Sequence, residues 1–346
     1  MLAIILAGGL GSRLLPLTEK RPKSLIPVAG RPLVTYLLDQ LSLAGVDHFV
    51  FAVSEATYSL LRTGIGSSYK GIPVDYSVES RALGSAGAIA LATQTYKPQG
   101  SFFVANGDVV TLSDLSQMLE IHLSYGNSGA QVSILLHEVP EVTHYGAVET
   151  AGLRISRFLE KPQAGETDSN QINAGVWLFE PEILDTLKNG VFSRVEEDLF
   201  PRLAQSGADI IGIPDGSAYW ADVGVPEMIL EVSRYLRSET SPSGLIANEA
   251  MVNESALIVS SEVGSGCQIE KDAYIKDSCV WNNAFVGVEA RIIRSIIGED
   301  TVIGAGAVLQ DIITGPGTII ESGARLSNMR MSSRGNRRGN GGPGGG

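Results

Sequence analysis

The chain opens on a continuous apolar run, Leu2-Ala3-Ile4-Ile5-Leu6, of the kind that is buried on both faces of a parallel sheet. From Pro32 to Ala44, residues Leu33, Tyr36, Leu37, Gln40 and Leu41 fall three or four apart, which predicts a helix. Phe49 to Val53 reads as the next strand, Ala86 to Ala92 as a helix of small residues, and Ser101 to Ala105 as a strand again. This alternation predicts an α/β domain over residues 1–238, built on a Rossmann-like, doubly wound and mostly parallel sheet. Ligands of such sheets sit beyond the carboxyl ends of the strands, so functional residues are expected just after strands.

A polar linker is expected over 239–250, where the chain reads Glu-Thr-Ser-Pro-Ser-Gly. The apolar spacing then changes. Leu257, Val263, Ile269 and Ile275 recur every six positions, and after slips so do Ile297, Ile303 and Leu309. Small residues follow four places later at Cys267, Ala273, Cys279, Thr301 and Ala307. Aliphatic and small inward positions on a six-residue period predict a parallel β-helix over 251–325, with an irregular coil near Trp281 to Ile296. Both cysteines fall at inward small positions and read as core filler. Residues 326–346 are rich in Arg, Ser, Asn and Gly and are expected to be a disordered tail.

Composition narrows the function. A net charge of -12 argues against a general nucleic-acid binder. Two cysteines are too few for a disulfide framework and fit a reducing compartment, hence the cytoplasm. The first apolar run lacks a basic leader and reads as a strand rather than a signal peptide; no later run is long enough to span a bilayer. An acidic protein that handles phosphates must concentrate cations locally, as side chains or as metal.

Those cations stand in Leu6-Ala7-Gly8-Gly9-Leu10-Gly11-Ser12-Arg13, followed by Pro16, Thr18, Pro22-Lys23 and Pro27-Val28-Ala29-Gly30-Arg31-Pro32. Glycines after a buried strand let backbone N–H groups approach phosphate closely. Arg13 can grip phosphate through a planar fork, and Lys23 adds a point charge. The loop is not a P-loop, because no Lys follows Gly11, and not a dinucleotide fingerprint, because Leu14 stands where the third glycine belongs.

This ordered series resembles the signature of the nucleoside-diphosphate-sugar pyrophosphorylases, and within that group the mannose-1-phosphate guanylyltransferases. The resemblance covers the whole ordered chain and implies that the repeats form a left-handed β-helix. It implies that Arg13 and Lys23 contact the triphosphate, with Leu6 to Gly9, Gly11 and Ser12 around it. Leu83-Gly84-Ser85-Ala86-Gly87 resembles the family's base-and-ribose loop, with Ser85 in place of the usual Thr. Asn106-Gly107-Asp108 and Trp220-Ala221-Asp222-Val223-Gly224 end strands, and the likeness makes Asp108 and Asp222 ligands of Mg2+. Carboxylates suit that hard cation, which substrate phosphates complete. Tyr145-Gly146, Glu160-Lys161-Pro162 and Asn173-Ala174-Gly175 resemble the sugar-phosphate site, bordered by Trp220. Lys161 is then expected to hold the sugar's phosphate, Glu160 and Asn173 its hydroxyls, and Gly146 to make room for the ring. Trp177 departs from the tyrosine often found in its strand.

Glu79 sits five residues before Gly84, where related enzymes read the base. A carboxylate only accepts hydrogen bonds, and guanine presents two adjacent donors where uracil and thymine present one. This pairing of donors favours GTP, and the resemblance implies mannose 1-phosphate as the sugar, with glucose-1-phosphate thymidylyl- or uridylyltransferase as the alternative. The expected chemistry is in-line attack of the sugar phosphate on the nucleotide's α-phosphorus. An acyltransferase activity in the repeats is disfavoured, because all four histidines (His48, His122, His137, His144) precede them. A regulatory subunit without activity is disfavoured by the presence of every charged site residue. The β-helix is expected to serve as a platform for a homo-oligomer.

Overall fold

The computed structural model describes residues 1–332 except 10, 127–129, 208, 217, 239–240 and 242–243. The chain divides into two compact units that do not follow the linear order of the sequence. The first comprises Met1–Gly9 and Val34–Ala221. The second takes the described part of 10–33 together with 222–332. The loop that carries Arg13 and Lys23 therefore groups with the repeats rather than with the sheet from which it emerges.

The first unit is built on a ten-stranded sheet. The expected strands form at Leu2–Leu6, His48–Ser54 and Phe102–Asn106, and the expected helices at Val34–Leu43 and Gly84–Thr95. Leu2–Leu6 lies between His48–Ser54 and Phe102–Asn106, parallel to both. Ile72–Glu79 continues the parallel run beyond His48–Ser54. Chain order thus reverses on either side of Leu2–Leu6, and such a switch point opens a crevice beyond the strand ends. Past Phe102–Asn106 the alternation gives way. Gln171–Phe179 runs antiparallel to Phe102–Asn106 and to Val132–Glu138, and Gly146–Ala151 pairs antiparallel with Arg154–Glu160. A hairpin joins the last two, and a two-residue turn permits only antiparallel pairing. Ile4, Val104, Trp177, Phe179 and Phe200 share one buried core.

In the second unit the repeats close into a parallel β-helix. Leu257–Val259, Tyr274–Lys276 and Arg291–Ile293 stack in register, as do Met251–Val252, Gln268–Ile269, Phe285–Val286, Val302–Ile303 and Ile319–Ile320. Equivalent residues stand 17 apart, as in the bond from Ser278 N–H to Ser261 Oγ. The corners bear left-handed residues at 260, 266, 272 and 277, and their equivalents follow in the next coils at 283, 289 and 294. Each coil thus has two six-residue sides and one five-residue side. A strict six-residue ruler slips once per coil, and this accounts for the expected irregularity near Trp281 to Ile296. The coil there is regular: Val280, Val286 and Ile292 point inward beneath Ile297, Ile303 and Leu309.

The short side is closed by serines. Ser261, Ser278 and Ser295 each donate to the carbonyl two residues back, at 2.8, 2.7 and 2.8 Å. Each also accepts the N–H of the next coil at 3.0–3.1 Å. Three other expectations are corrected. Leu257 is 55% exposed, and its neighbour Ile258 packs on the core instead. Cys267 is inward, but Cys279 faces outward, buried near Ser233 and Arg237 of the helix Pro226–Ser238. The β-helix also begins before 251 and ends after 325: Gly244–Ile246 pairs with Ser261–Val263, and Arg325–Met331 pairs with Val308–Thr314. Residues 333–346, the rest of the expected tail, lie outside the described residues. No helix among the described residues is long and apolar enough to cross a membrane.

Candidate active site

In the first unit the expected nucleotide residues gather at the carboxyl ends of the parallel strands. Leu6 closes the first strand, and its carbonyl accepts the Gly107 N–H at 2.9 Å, while Ala7 N–H bonds Ala52 at 2.9 Å. Gly8 and Gly9 follow. Glu79 ends its own strand and lies against this turn, because a Cβ on Gly8 would stand 3.0 Å from Glu79 Oε1. Glu79 Oε2 accepts the Leu83 N–H at 3.1 Å. Burial pushes the Glu79 carboxyl above its ordinary value, and the Leu83 bond opposes that. A carboxylate offers about four lone-pair sites, so the amide leaves room for further donors.

Gly84 opens a helix whose first turn is already partnered. Ala86 N–H bonds the Ser193 carbonyl at 3.0 Å. Ser85 Oγ accepts the Val195 N–H at 2.8 Å and donates to Glu196 Oε2 at 3.1 Å. Ser85 thus fastens the segment Val195–Leu199, a single wide helical turn. Sequence reasoning missed Glu196. Its carboxyl is pushed up by burial, held down by Ser85 and Asn106, and raised again by nearby Glu160. It therefore bonds Ser85 of the expected nucleotide site and feels the charge of Glu160 of the expected sugar site. The only signal in the sequence is the triplet Glu196-Glu197-Asp198, which reads equally well as charge complementing a helix start.

The expected sugar residues share one neighbourhood. Asn173 Oδ1 accepts the Trp177 indole N–H at 2.7 Å and the Gly175 N–H at 3.0 Å. Trp177 is fully buried, so it supports Asn173 from the core instead of forming a pocket wall. Trp220 donates its indole N–H to the Ala174 carbonyl at 2.9 Å. Its ring meets Tyr145 edge-on at 5.5 Å and His137 at 5.2 Å. His137 is fixed in turn by Asp215 at 2.5 Å. Lys161 is exposed, has φ +48°, and pairs with Glu160 at 3.1 Å. The expectation for Gly146 changes: a Cβ there would meet the Phe158 ring at 2.7 Å and Glu160 Oε2 at 3.1 Å. The space it leaves is filled by protein, so its first role is packing.

The second unit holds the cations. Arg13 lies in the short turn Ser12–Leu14 and Lys23 in Lys23–Leu25. Gly11, just before the first turn, has φ +63°, a conformation that costs an L side chain about 1–2 kcal/mol. Lys23 is buried, and its Nζ donates to Asp222 Oδ1 at 3.1 Å. A Cβ on Gly224 would stand 3.6 Å from Asp222 Oδ2 and 3.7 Å from Arg13 Cζ. Guanidinium, ammonium and carboxylate therefore converge beside Gly224. Asp108, in the first unit, is half-buried and follows the strand Phe102–Asn106. Among the described residues no three His, Cys, Asp or Glu side chains gather to hold a metal. A magnesium site built of one or two carboxylates and completed by substrate phosphates needs no such cluster, and hard, partly exposed carboxylate oxygens fit it.

Comparison with known proteins agrees with this chemistry. Residues 2–239 match the nucleotidyl transferase family, and residues 237–331 match the GlmU-like C-terminal hexapeptide family. The mannose-1-phosphate guanylyltransferase of Mycobacterium tuberculosis is 35% identical over 285 residues, 77% of this chain and 76% of that protein. Mannose-1-phosphate guanylyltransferase 1 of Arabidopsis thaliana is 33% identical over 290 residues, covering 81% and 78%. Mannose-1-phosphate guanyltransferase beta-A of Xenopus laevis is 33% identical over 275 residues, covering 77% and 74%. A phosphate-suited loop at a sheet switch point, a cation and carboxylate cluster, and family matches across both halves lead to one conclusion: the chain belongs to the nucleotidyl transferase family and is an enzyme of the sugar-1-phosphate nucleotidyltransferase class.

Proposed function

We propose that the enzyme joins GTP to mannose 1-phosphate, forming GDP-mannose and pyrophosphate. The observation that carries the reading is the convergence of Arg13, Lys23 and Asp222 beside Gly224. The names of the relatives support the choice of substrates. An oxygen of the sugar phosphate attacks the α-phosphorus in line. One P–O bond forms, the bond to the β-phosphate oxygen breaks, and pyrophosphate leaves with its electron pair. The nucleophile is already an anion and needs no general base, so catalysis is positioning and charge neutralisation. Arg13 and Lys23 offset charge on the departing pyrophosphate. Asp108 and Asp222 are the carboxylates we assign to magnesium, which when bound neutralises phosphate charge.

Glu79 reads the guanine N1–H and 2-amino group with the lone pairs that the Leu83 amide leaves. Lys161, exposed beside Glu160, binds the sugar's phosphate. Asn173, its carbonyl committed to Trp177 and Gly175, offers its amide N–H to a sugar hydroxyl. The test is magnesium-dependent pyrophosphate release across GTP, dTTP, UTP, CTP and ATP against mannose 1-phosphate, glucose 1-phosphate and their N-acetyl forms. The expected peak is GTP with mannose 1-phosphate, and Lys23→Ala should lower that rate by about 10²–10³-fold. A peak at dTTP or UTP overturns the role of Glu79, and a Lys23→Ala enzyme within about threefold of the parent overturns the role of Lys23.

A further inference from the structure

We infer that the β-helix belongs to the catalytic apparatus, with Trp281, Glu299 and Arg330 acting as positioning residues for the loop that carries Arg13 and Lys23. The inference rests on the reading that these two cations act on the triphosphate. All of the residues involved lie in the second compact unit.

The loop has little regular structure of its own. Between Gly11 and Ile26 its regular structure amounts to two three-residue turns. The hydrogen bonds it makes within itself are short-range, such as Thr18 Oγ1 to the Gly11 carbonyl at 2.9 Å. Lys23 is buried and tied to Asp222, but the loop backbone and the Arg13 side chain still need support from outside the loop, since a misplacement of about 1 Å can cost about 10²-fold in rate.

The β-helix supplies the missing constraint at three points. Arg21, two residues before Lys23, lies over the Trp281 ring at 5.3 Å and forms an ion pair with Glu299. The same guanidinium donates to the Leu25 carbonyl at 3.4 Å, across the turn that contains Lys23. Burial lowers the Arg21 pKa to about 10, which leaves it charged at neutral pH. Further along, the Gly315 backbone lies against the loop, because a Cβ there would stand 3.0 Å from Pro16 Cβ and 3.1 Å from Glu19 Oε2. At the other end, Arg330 Nη1 donates to the backbone carbonyl of Arg13 itself at 3.2 Å. Its Nη2 is steadied by Glu227 Oε1 at 3.4 Å. Arg330 sits in the strand Arg325–Met331, and Trp281, Glu299, Gly315 and Arg330 belong to successive coils. The regular rise of the β-helix thus acts as a ruler along the phosphate loop.

The test measures pyrophosphate release from GTP and mannose 1-phosphate by the full chain. The variants are Arg330→Ala, Arg330→Lys, Glu299→Gln, Arg13→Ala and the double variant Arg13→Ala/Arg330→Ala, each also melted to check folding. Arg330→Ala should lower kcat about tenfold, the scale of one lost hydrogen bond amplified by misplacement, and Arg330→Lys should recover part of the loss. Glu299→Gln should lower kcat in the same direction. In the Arg13→Ala background, Arg330→Ala should change the rate by less than about twofold, because the guanidinium whose backbone Arg330 holds is gone and Lys23 is held separately by Asp222 and by the Arg21 contacts. If Arg330→Ala and Glu299→Gln both stay within about twofold of the parent while Arg13→Ala falls at least about 30-fold, the cations act and the positioning role is refuted. Equal losses from Arg330→Ala in both backgrounds would show general destabilisation and also refute it. If Arg13→Ala stays within about threefold of the parent, the underlying reading of the loop fails and the inference falls with it.

Discussion

Arg237 and Glu262 offer a sharp test of what holds the second unit together. Arg237 Nε donates to Glu262 Oε1 at 3.1 Å, and the two side chains are 5% and 6% exposed. Arg237 Nη2 also donates to the Ser260 carbonyl at 3.1 Å. Glu262 takes further bonds from the Ser233 hydroxyl and the Gly30 N–H, and Ser233 Oγ accepts the Ala29 N–H at 3.1 Å. The cluster thereby ties the helix Pro226–Ser238 and the hairpin Pro27–Pro32 to the first full coil. Removing one partner of a buried pair typically costs about 3–5 kcal/mol, because the other charge stays buried. Ser233 and Gly30 still satisfy part of Glu262, so about 3 kcal/mol is expected for Arg237→Ala. For a domain of this size that lowers Tm by about 6–12 °C, read by differential scanning fluorimetry.

The loss should also depend on pH with a defined sign. Burial already raises the Glu262 carboxyl, and Arg237 opposes that rise. Without the guanidinium its folded-state pKa climbs further. A carboxyl raised on folding contributes stability that is present at low pH and lost as pH rises through the folded pKa. The Tm deficit of Arg237→Ala should therefore be smaller at pH 5 than at pH 8. Replacing both partners by apolar residues, Arg237→Leu with Glu262→Met, should recover most of the stability. A deficit below about 2 °C, or one that grows toward pH 5, would refute the assignment of a buried charge left unpaired.

Two further outcomes can be checked. Gly11→Ala forces a side chain into the left-handed region and sets its Cβ 3.1 Å from Lys23 Cβ and 3.0 Å from Thr18 Cγ2. It should lower kcat/KM for the nucleotide about tenfold or more, and parent-like kinetics would mean that the backbone there is not fixed by Gly11. His122 is fully buried between Ser133 Oγ at 2.7 Å and Glu180 Oε1 at 2.9 Å. Burial lowers its pKa against the opposing pull of Glu180, so its contribution to stability is present above about pH 6.5 and lost as pH falls through the lower folded value. The parent's Tm should therefore drop more steeply between pH 7 and pH 5 than that of His122→Gln, and equal slopes would refute the buried neutral imidazole.

Much of the local structure was legible because it rests on local spacing. The apolar run at Leu2–Leu6, the helical stripe from Val34 to Leu43 and the repeat of aliphatic residues after Val263 each follow from a side chain's direction on its own backbone. The 17-residue coil was only half legible. Its aliphatic positions stand in the sequence, but the five-residue side depends on serine hydroxyls that bond across coils, and such partners are distant in the chain. Glu196 was hidden for the same reason, since its partners Ser85, Asn106 and Glu160 are assembled by the sheet.

By itself the sequence determined the alternation of strands and helices, the β-helix, the glycine-rich phosphate loop and the identity of the charged residues in it. These depend on residue type and short-range spacing. Only the tertiary structure decided that Arg13 and Lys23 group with the repeats, that Asp222 accepts the Lys23 ammonium, that Ser85 is spent on Glu196, and that Arg330 reaches the Arg13 carbonyl. Each of those is a contact between residues far apart in the chain, set by packing and long-range hydrogen bonding, and no local pattern encodes which distant partner closes it.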